Sequence, residues 1–199
     1  MIAIIDYGAG NLKSVKKAFD YLNVKSNVIS NRDELANAEK VVLPGVGAFG
    51  AAVDKLQESN FYDSIQDWLK ANRPFLGICL GMQLLFEASS ESPNVKGLSV
   101  FNGENLRFNS GKVPQIGWNQ VQTKKPSRLF DGISDGSFFY FLHGYYIAPA
   151  NRGLVTATTE YGISYPSVIE HGNIYAVQFH PEKSGDIGLK LLNNWVSLN

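Results

Sequence analysis

The chain has 199 residues, 44% hydrophobic and 18% charged, which is enough for one domain with a substantial buried core. Eighteen Lys and Arg balance eighteen Asp and Glu, so no net field draws the chain to nucleic acid or anionic lipid, and neither is expected as a partner. Cys79 is the only cysteine, which excludes an intrachain disulfide and leaves one thiol free for chemistry in a cytoplasmic setting.

Residues 1–6 offer too short an apolar run, and no basic start, for a signal peptide. The longest apolar stretch, 75–86, is interrupted by two Gly and a Gln and cannot span a bilayer. A soluble protein with one domain over 1–199 is expected.

In chain order, residues 2–5 read as a buried strand and Tyr7-Gly8-Ala9-Gly10 as a turn. Asn11 is placed to cap a helix carrying Leu12, Val15, Ala18, Phe19 and Leu22 at the helical period. Residues 41–43 form a second strand, stopped by Pro44-Gly45. Phe61, Ile65, Trp68 and Leu69 mark another amphipathic helix. Residues 75–78 form a third strand, with a helix over 80–88 behind it. Strands separated by helices predict an α/β layered fold with a parallel sheet.

The second half has strand-like runs at 138–142, 154–158, 167–170 and 174–179, separated by turns. They predict an antiparallel extension of the same sheet or a second small sheet. A last helix starts near Ser184, with Ile187, Leu191, Leu192 and Trp195 on its buried side.

Gly77-Ile78-Cys79-Leu80-Gly81 has the form of a nucleophile elbow between a strand and a helix. The glycines allow a strained turn at the thiol, and the helix N-terminus favours thiolate. The Leu80 N–H is placed to meet an oxyanion. A structural cysteine buried in an apolar strand would also explain the flanking glycines.

A second motif is Gln178-Phe179-His180-Pro181-Glu182-Lys183-Ser184, which ends a strand and precedes the last helix. His180 and Glu182, two apart, share a face of an extended chain, as a base and its orienting carboxylate must. The other reading is a helix entry with both side chains solvated and Ser184 as cap. Cys79 and His180 both sit at C-terminal ends of predicted strands, where ligands gather in open α/β sheets.

The glycine-rich run Leu43 to Gly50 follows another strand and can turn N–H groups toward Cys79. A phosphate cradle is the competing reading, but the Lys-Ser/Thr ending is missing. His171 falls in a turn and His143 ends an aromatic strand. Three His and one Cys assemble no metal cluster, so neither metal nor cofactor is expected.

Pro44-Gly45-Val46-Gly47, Gly77 to Gln83 and His180 to Ser184 together resemble class I glutamine amidotransferases. More narrowly, the chain resembles the glutaminase subunits of imidazole glycerol phosphate synthases in histidine biosynthesis. Residues 5–12, Gly117-Trp118-Asn119 and 158–161 extend that resemblance from end to end.

The resemblance implies a flavodoxin-like layered fold and a Cys79-His180-Glu182 triad that hydrolyses L-glutamine through a thioester. Gly45, Val46 and Leu80 would serve the oxyanion, the loop after a rearrangement. Gly47, Gln83, Gly144 and Tyr145 would hold glutamine. Asn11, Trp118 and Lys183 would face a (β/α)₈-barrel cyclase in a heterodimer, which takes the ammonia to make imidazole glycerol phosphate and AICAR from PRFAR. Gly144 replaces an expected Ser or Thr, and Gln115 stands where His is common. The latter departure leaves open a paralogue feeding another acceptor, such as a sugar nucleotide in surface-polysaccharide synthesis.

Overall fold

The computed structural model describes residues 1–198. Strand β1 (Ile2–Ile5) is buried throughout and leads to helix α1 (Leu12–Tyr21), whose Val15, Ala18 and Phe19 face inward. Asn11 stands at the head of α1, but its side chain makes no capping bond with the first turn. Its ψ of 58° lies outside the extended region that aims a capping oxygen, and its backbone carbonyl takes the N–H groups of Ser14 and Val15 instead.

β2 (Ser26–Ile29), β3 (Lys40–Gly45), α2 (Phe49–Glu58), α3 (Phe61–Lys70) and β4 (Phe75–Cys79) follow. β3 does not stop at Pro44-Gly45: Pro44 pairs with Ile78 and Gly45 with Cys79. β1 pairs with β3 only as far as Val42, so the missing proline N–H has a side without a ladder to face.

The helix expected over 80–88 is a single turn, α4 (Leu80–Gln83), and the chain then enters β5 (Phe86–Ser89). Distant groups end it. The Gln83 and Ala88 carbonyls accept from Asn105 Nδ2, and the Leu84 carbonyl accepts from Leu98 N. Carbonyls that a longer helix would use are therefore already satisfied.

Next come β6 (Phe101–Arg107), β7 (Gln115–Gln120), β8 (Gln122–Thr123), β9 (Phe138–His143) and β10 (Tyr145–Pro149). β11 (Val155–Glu160), β12 (Ser164–His171), β13 (Ile174–Val177) and α5 (Gly185–Ser197) complete the order. The main sheet runs β2-β1-β3-β4-β13-β12-β11-β8. It is parallel from β2 to β13 and antiparallel beyond. Both expected arrangements of the second half occur, because β7–β9 and β10-β6-β5 also form small separate sheets.

α2 and α3 pack on one face of the main sheet, and α1 and α5 on the other. β3, β4 and β13 are neighbours, so Gly45, Cys79 and the residues after Val177 emerge at one edge. Among the described residues, no helix is long and apolar enough to cross a membrane.

α5 sits tightly against the turn after β13. A Cβ on Gly188 would lie 1.9 Å from the Pro181 carbonyl oxygen. Gly188→Ala is therefore expected to cost roughly 1–3 kcal/mol and to displace the 180–182 turn. Thermal melting should fall; unchanged melting would show that the helix slides freely.

Candidate active site

Cys79 ends β4 with φ +54° and ψ −110°, a conformation that costs a side-chain-bearing residue about 1–3 kcal/mol. The surrounding glycines make it possible. A Cβ on Gly81 would lie 1.9 Å from the Leu43 carbonyl oxygen, and one on Gly77 would lie 2.8 Å from that of Gly81. β4 can turn sharply at the thiol only because both are bare. Since α4 is one turn long, no long macrodipole points at the sulfur.

His180 follows β13 and is held by the neighbouring sheet. Its N–H donates to the Tyr140 carbonyl at 2.9 Å, and its carbonyl accepts from Ser184 Oγ at 2.7 Å. Ser184 Oγ also accepts from Tyr140 N, so it ties β9 to this turn and does not cap α5. Residues 181–183 form a 3-10 turn, and Glu182 reaches back along it instead of sharing a strand face.

His180 Nδ1 lies 2.9 Å from Glu182 Oε1, with both side chains buried at 2% and 1% exposure. A carboxylate accepts, so Nδ1 carries the proton and Nε2 is left for chemistry. Nε2 has no hydrogen-bond partner among the described residues. Burial alone would lower His180. The charge of the neighbouring Cys79 sulfur, with Glu182, outweighs it and raises the imidazole to about 10. A protonated imidazole beside the sulfur is thus favoured.

Beside the thiol lies a cavity of about 180 Å³. Val46, Gly47, Leu80, Gln83, Gly144 and Tyr145 line it with Cys79. Gly45 lies behind the wall: a Cβ there would meet Tyr7 Oη at 2.7 Å and Leu80 Cβ at 2.9 Å. Gly47, at φ +98°, has open space around it among the described residues, and Val46 is 38% exposed, so this loop has room to turn. Larger hollows occur at residues 123–135 and beside His171, but neither reaches the thiol, and His180 is not part of the lining of the cavity that does.

Glu91, Leu142 and His143 complete the lining, and no local motif marks them. Glu91 accepts from the Phe49 N–H at 2.7 Å, capping α2 from 42 residues away. The Leu142 carbonyl accepts from the thiol at 3.7 Å. Burial lowers His143 to about 4, so it is neutral, with Nδ1 2.8 Å from the Tyr145 carbonyl and Nε2 3.2 Å from Tyr165 Oη. Gln115 lies buried behind Tyr165 at 2.9 Å, supporting the pocket from inside the core. The Gln83 amide donates to the Tyr145 carbonyl at 2.9 Å and to Gln178 Oε1 at 3.1 Å. Its own carbonyl oxygen is what remains for a ligand.

The outward face of β7–β9 is apolar, with Ile116, Trp118 and Phe138 each more than half exposed. Trp118 meets the Tyr140 ring edge-on at 6.1 Å, and Lys183 Nζ lies 5.9 Å from the same ring. α1, headed by Asn11, packs against the 181–183 turn, so all three expected interface residues lie near the sheet edge that carries the site. Among the described residues, no group of three or more His, Cys, Asp or Glu could hold a metal.

A curated relative from Chlorobaculum tepidum, imidazole glycerol phosphate synthase subunit HisH, is 48% identical over 98% of both chains. The subunit of that name from Methanocaldococcus jannaschii is 46% identical over the full length of both. A crystal structure of a glutamine amidotransferase superposes with a TM-score of 0.77 at 18% identity, covering 98% of this chain and all of the other. The model of the glutamine amidotransferase class-I family matches residues 3–197, and this chain, an enzyme with that fold, belongs to that family.

Proposed function

We propose that residues 1–199 form a single glutaminase domain, the ammonia-producing subunit of an imidazole glycerol phosphate synthase in the cytoplasm. The observation that carries this reading is the strained Cys79 corner beside the buried His180–Glu182 pair, opening on a small cavity. The Cys79 thiolate attacks the glutamine carboxamide carbon, and the C–N bond breaks as His180 Nε2 gives its proton to the departing ammonia. His180 then takes a proton from water, hydroxide attacks the thioester, and glutamate leaves with the thiolate restored.

Leu80 N–H and the turned Gly45–Val46 peptide serve the oxyanion. Gly47, the Gln83 carbonyl and the Gly144–Tyr145 backbone hold glutamine, and the Glu91 carboxylate suits its α-ammonium. Ammonia passes to a (β/α)₈-barrel cyclase docked on Asn11, Trp118 and Lys183, which turns PRFAR into imidazole glycerol phosphate and AICAR. Gln115 offers no ground for another acceptor, because it is buried behind the glutamine pocket.

The test is glutamate release by the chain alone and then with the cyclase and its ribonucleotide ligand. Strong stimulation in the complex is expected; high activity alone and none added by the cyclase would make the chain a free-standing hydrolase. Trp118→Ala should weaken docking by about thirtyfold, as an exposed aromatic anchor does. Titration calorimetry reads that loss, while melting of the isolated chain should not change.

A further inference from the structure

Gln178 follows β13 directly, is fully buried, and stands two residues before His180. We propose that Gln178 is a positioning residue whose single amide fixes the Cys79 sulfur and Gln83 together, setting nucleophile and glutamine pocket in one register. This rests on reading Cys79 as the nucleophile and Gln83 as a glutamine-holding group.

The direction of the amide follows from its neighbours. The Tyr145 carbonyl can only accept, so the Gln83 group 2.9 Å away must be its NH₂. The same NH₂ lies 3.1 Å from Gln178, which must answer with Oε1. Gln178 Nε2 is then left facing Cys79 Sγ at 3.7 Å, with no freedom to flip.

That contact changes strength along the reaction. In the thiol, the sulfur donates to the Leu142 carbonyl and receives a weak N–H from Gln178. In the thiolate, the bond to Leu142 is gone and the Gln178 bond becomes charge-assisted. Acylation makes the sulfur a poor acceptor again. Gln178 therefore favours thiolate both as attacking group and as leaving group, while holding Gln83 fixed.

Alkylation by iodoacetamide isolates this effect, because Cys79 is the only cysteine in the chain. Gln178→Leu should slow alkylation at pH 7 by about tenfold, the loss of one donor to a charged acceptor, and shift the rate–pH curve toward alkali. Gln178→Glu should slow it further, since a carboxylate opposes the thiolate. A purely structural role predicts the opposite sign, because loosened packing would expose the thiol and speed alkylation. A rate equal to or above the parent's in Gln178→Leu, with melting preserved, overturns the proposal. If Gln178→Leu does not fold, the near-isosteric Gln178→Glu decides by the same criterion. Absence of glutamate release by the parent, with or without the cyclase, would defeat the glutaminase reading and leave the alkylation comparison intact.

Discussion

Cys79→Ala should abolish glutamine hydrolysis, lowering kcat on the order of 10⁴-fold or more, because no other group in the cavity can form the thioester. Stability should respond differently. Alanine keeps the Cβ at φ +54°, so the corner's strain persists and melting stays near the parent's. Cys79→Gly relieves about 1–3 kcal/mol of that strain, against about 0.5–1 kcal/mol of glycine's extra unfolded-state entropy. The glycine variant should therefore melt at or above the alanine variant, by a few degrees at most for a chain of this length. Glutamate release and calorimetry on the two variants check both halves. Retained hydrolysis in Cys79→Ala would remove the assigned nucleophile, and a lower melting point for Cys79→Gly would show that the corner holds no strain.

This separation of chemistry from stability explains which parts of the site were legible in the sequence. The nucleophile corner was readable because Gly77 and Gly81 are dictated by contacts within a few residues and by the adjoining strand. The His180–Glu182 pair was readable for a similar reason, although a 3-10 turn brings it together and not a strand face. Glu91 was not, because it reaches the cavity only by capping α2 across 42 residues. α2 itself was hidden behind a glycine-rich run, with its buried Phe49, Ala52, Val53 and Leu56 sharing a face with Gly50. β2 shows no alternation, since only its end residues are buried. The sequence does not mark the single turn of α4, because the groups that end it, Leu98 and Asn105, lie more than ten residues further on. Local rules found the Cys79 corner and the His180–Glu182 pair; long-range hydrogen bonds shaped the pocket beside the thiol.

Glu182→Gln tests the pair that those long-range contacts bury. The amide keeps the size of the carboxylate but can present N–H to Nδ1, which favours the tautomer with its proton on Nε2 and removes the charge that stabilises imidazolium. A fall in kcat of roughly 10²–10⁴ is expected, with KM for glutamine little changed because Glu182 is not part of the cavity lining. The pH dependence supplies a second reading. His180 is raised in the folded chain, so its contribution to stability is fully present below its ordinary value near 6.5 and is lost as pH rises through about 10. Removing Glu182 takes away one of the causes of that rise, leaving the Cys79 sulfur to oppose burial alone. The decline in stability should then begin at lower pH, and its total size should shrink. Denaturant unfolding of parent and variant between pH 6 and 10 measures this directly. Parallel curves would mean that Glu182 orients the ring without stabilising its charge, and an unchanged kcat would remove it from the triad.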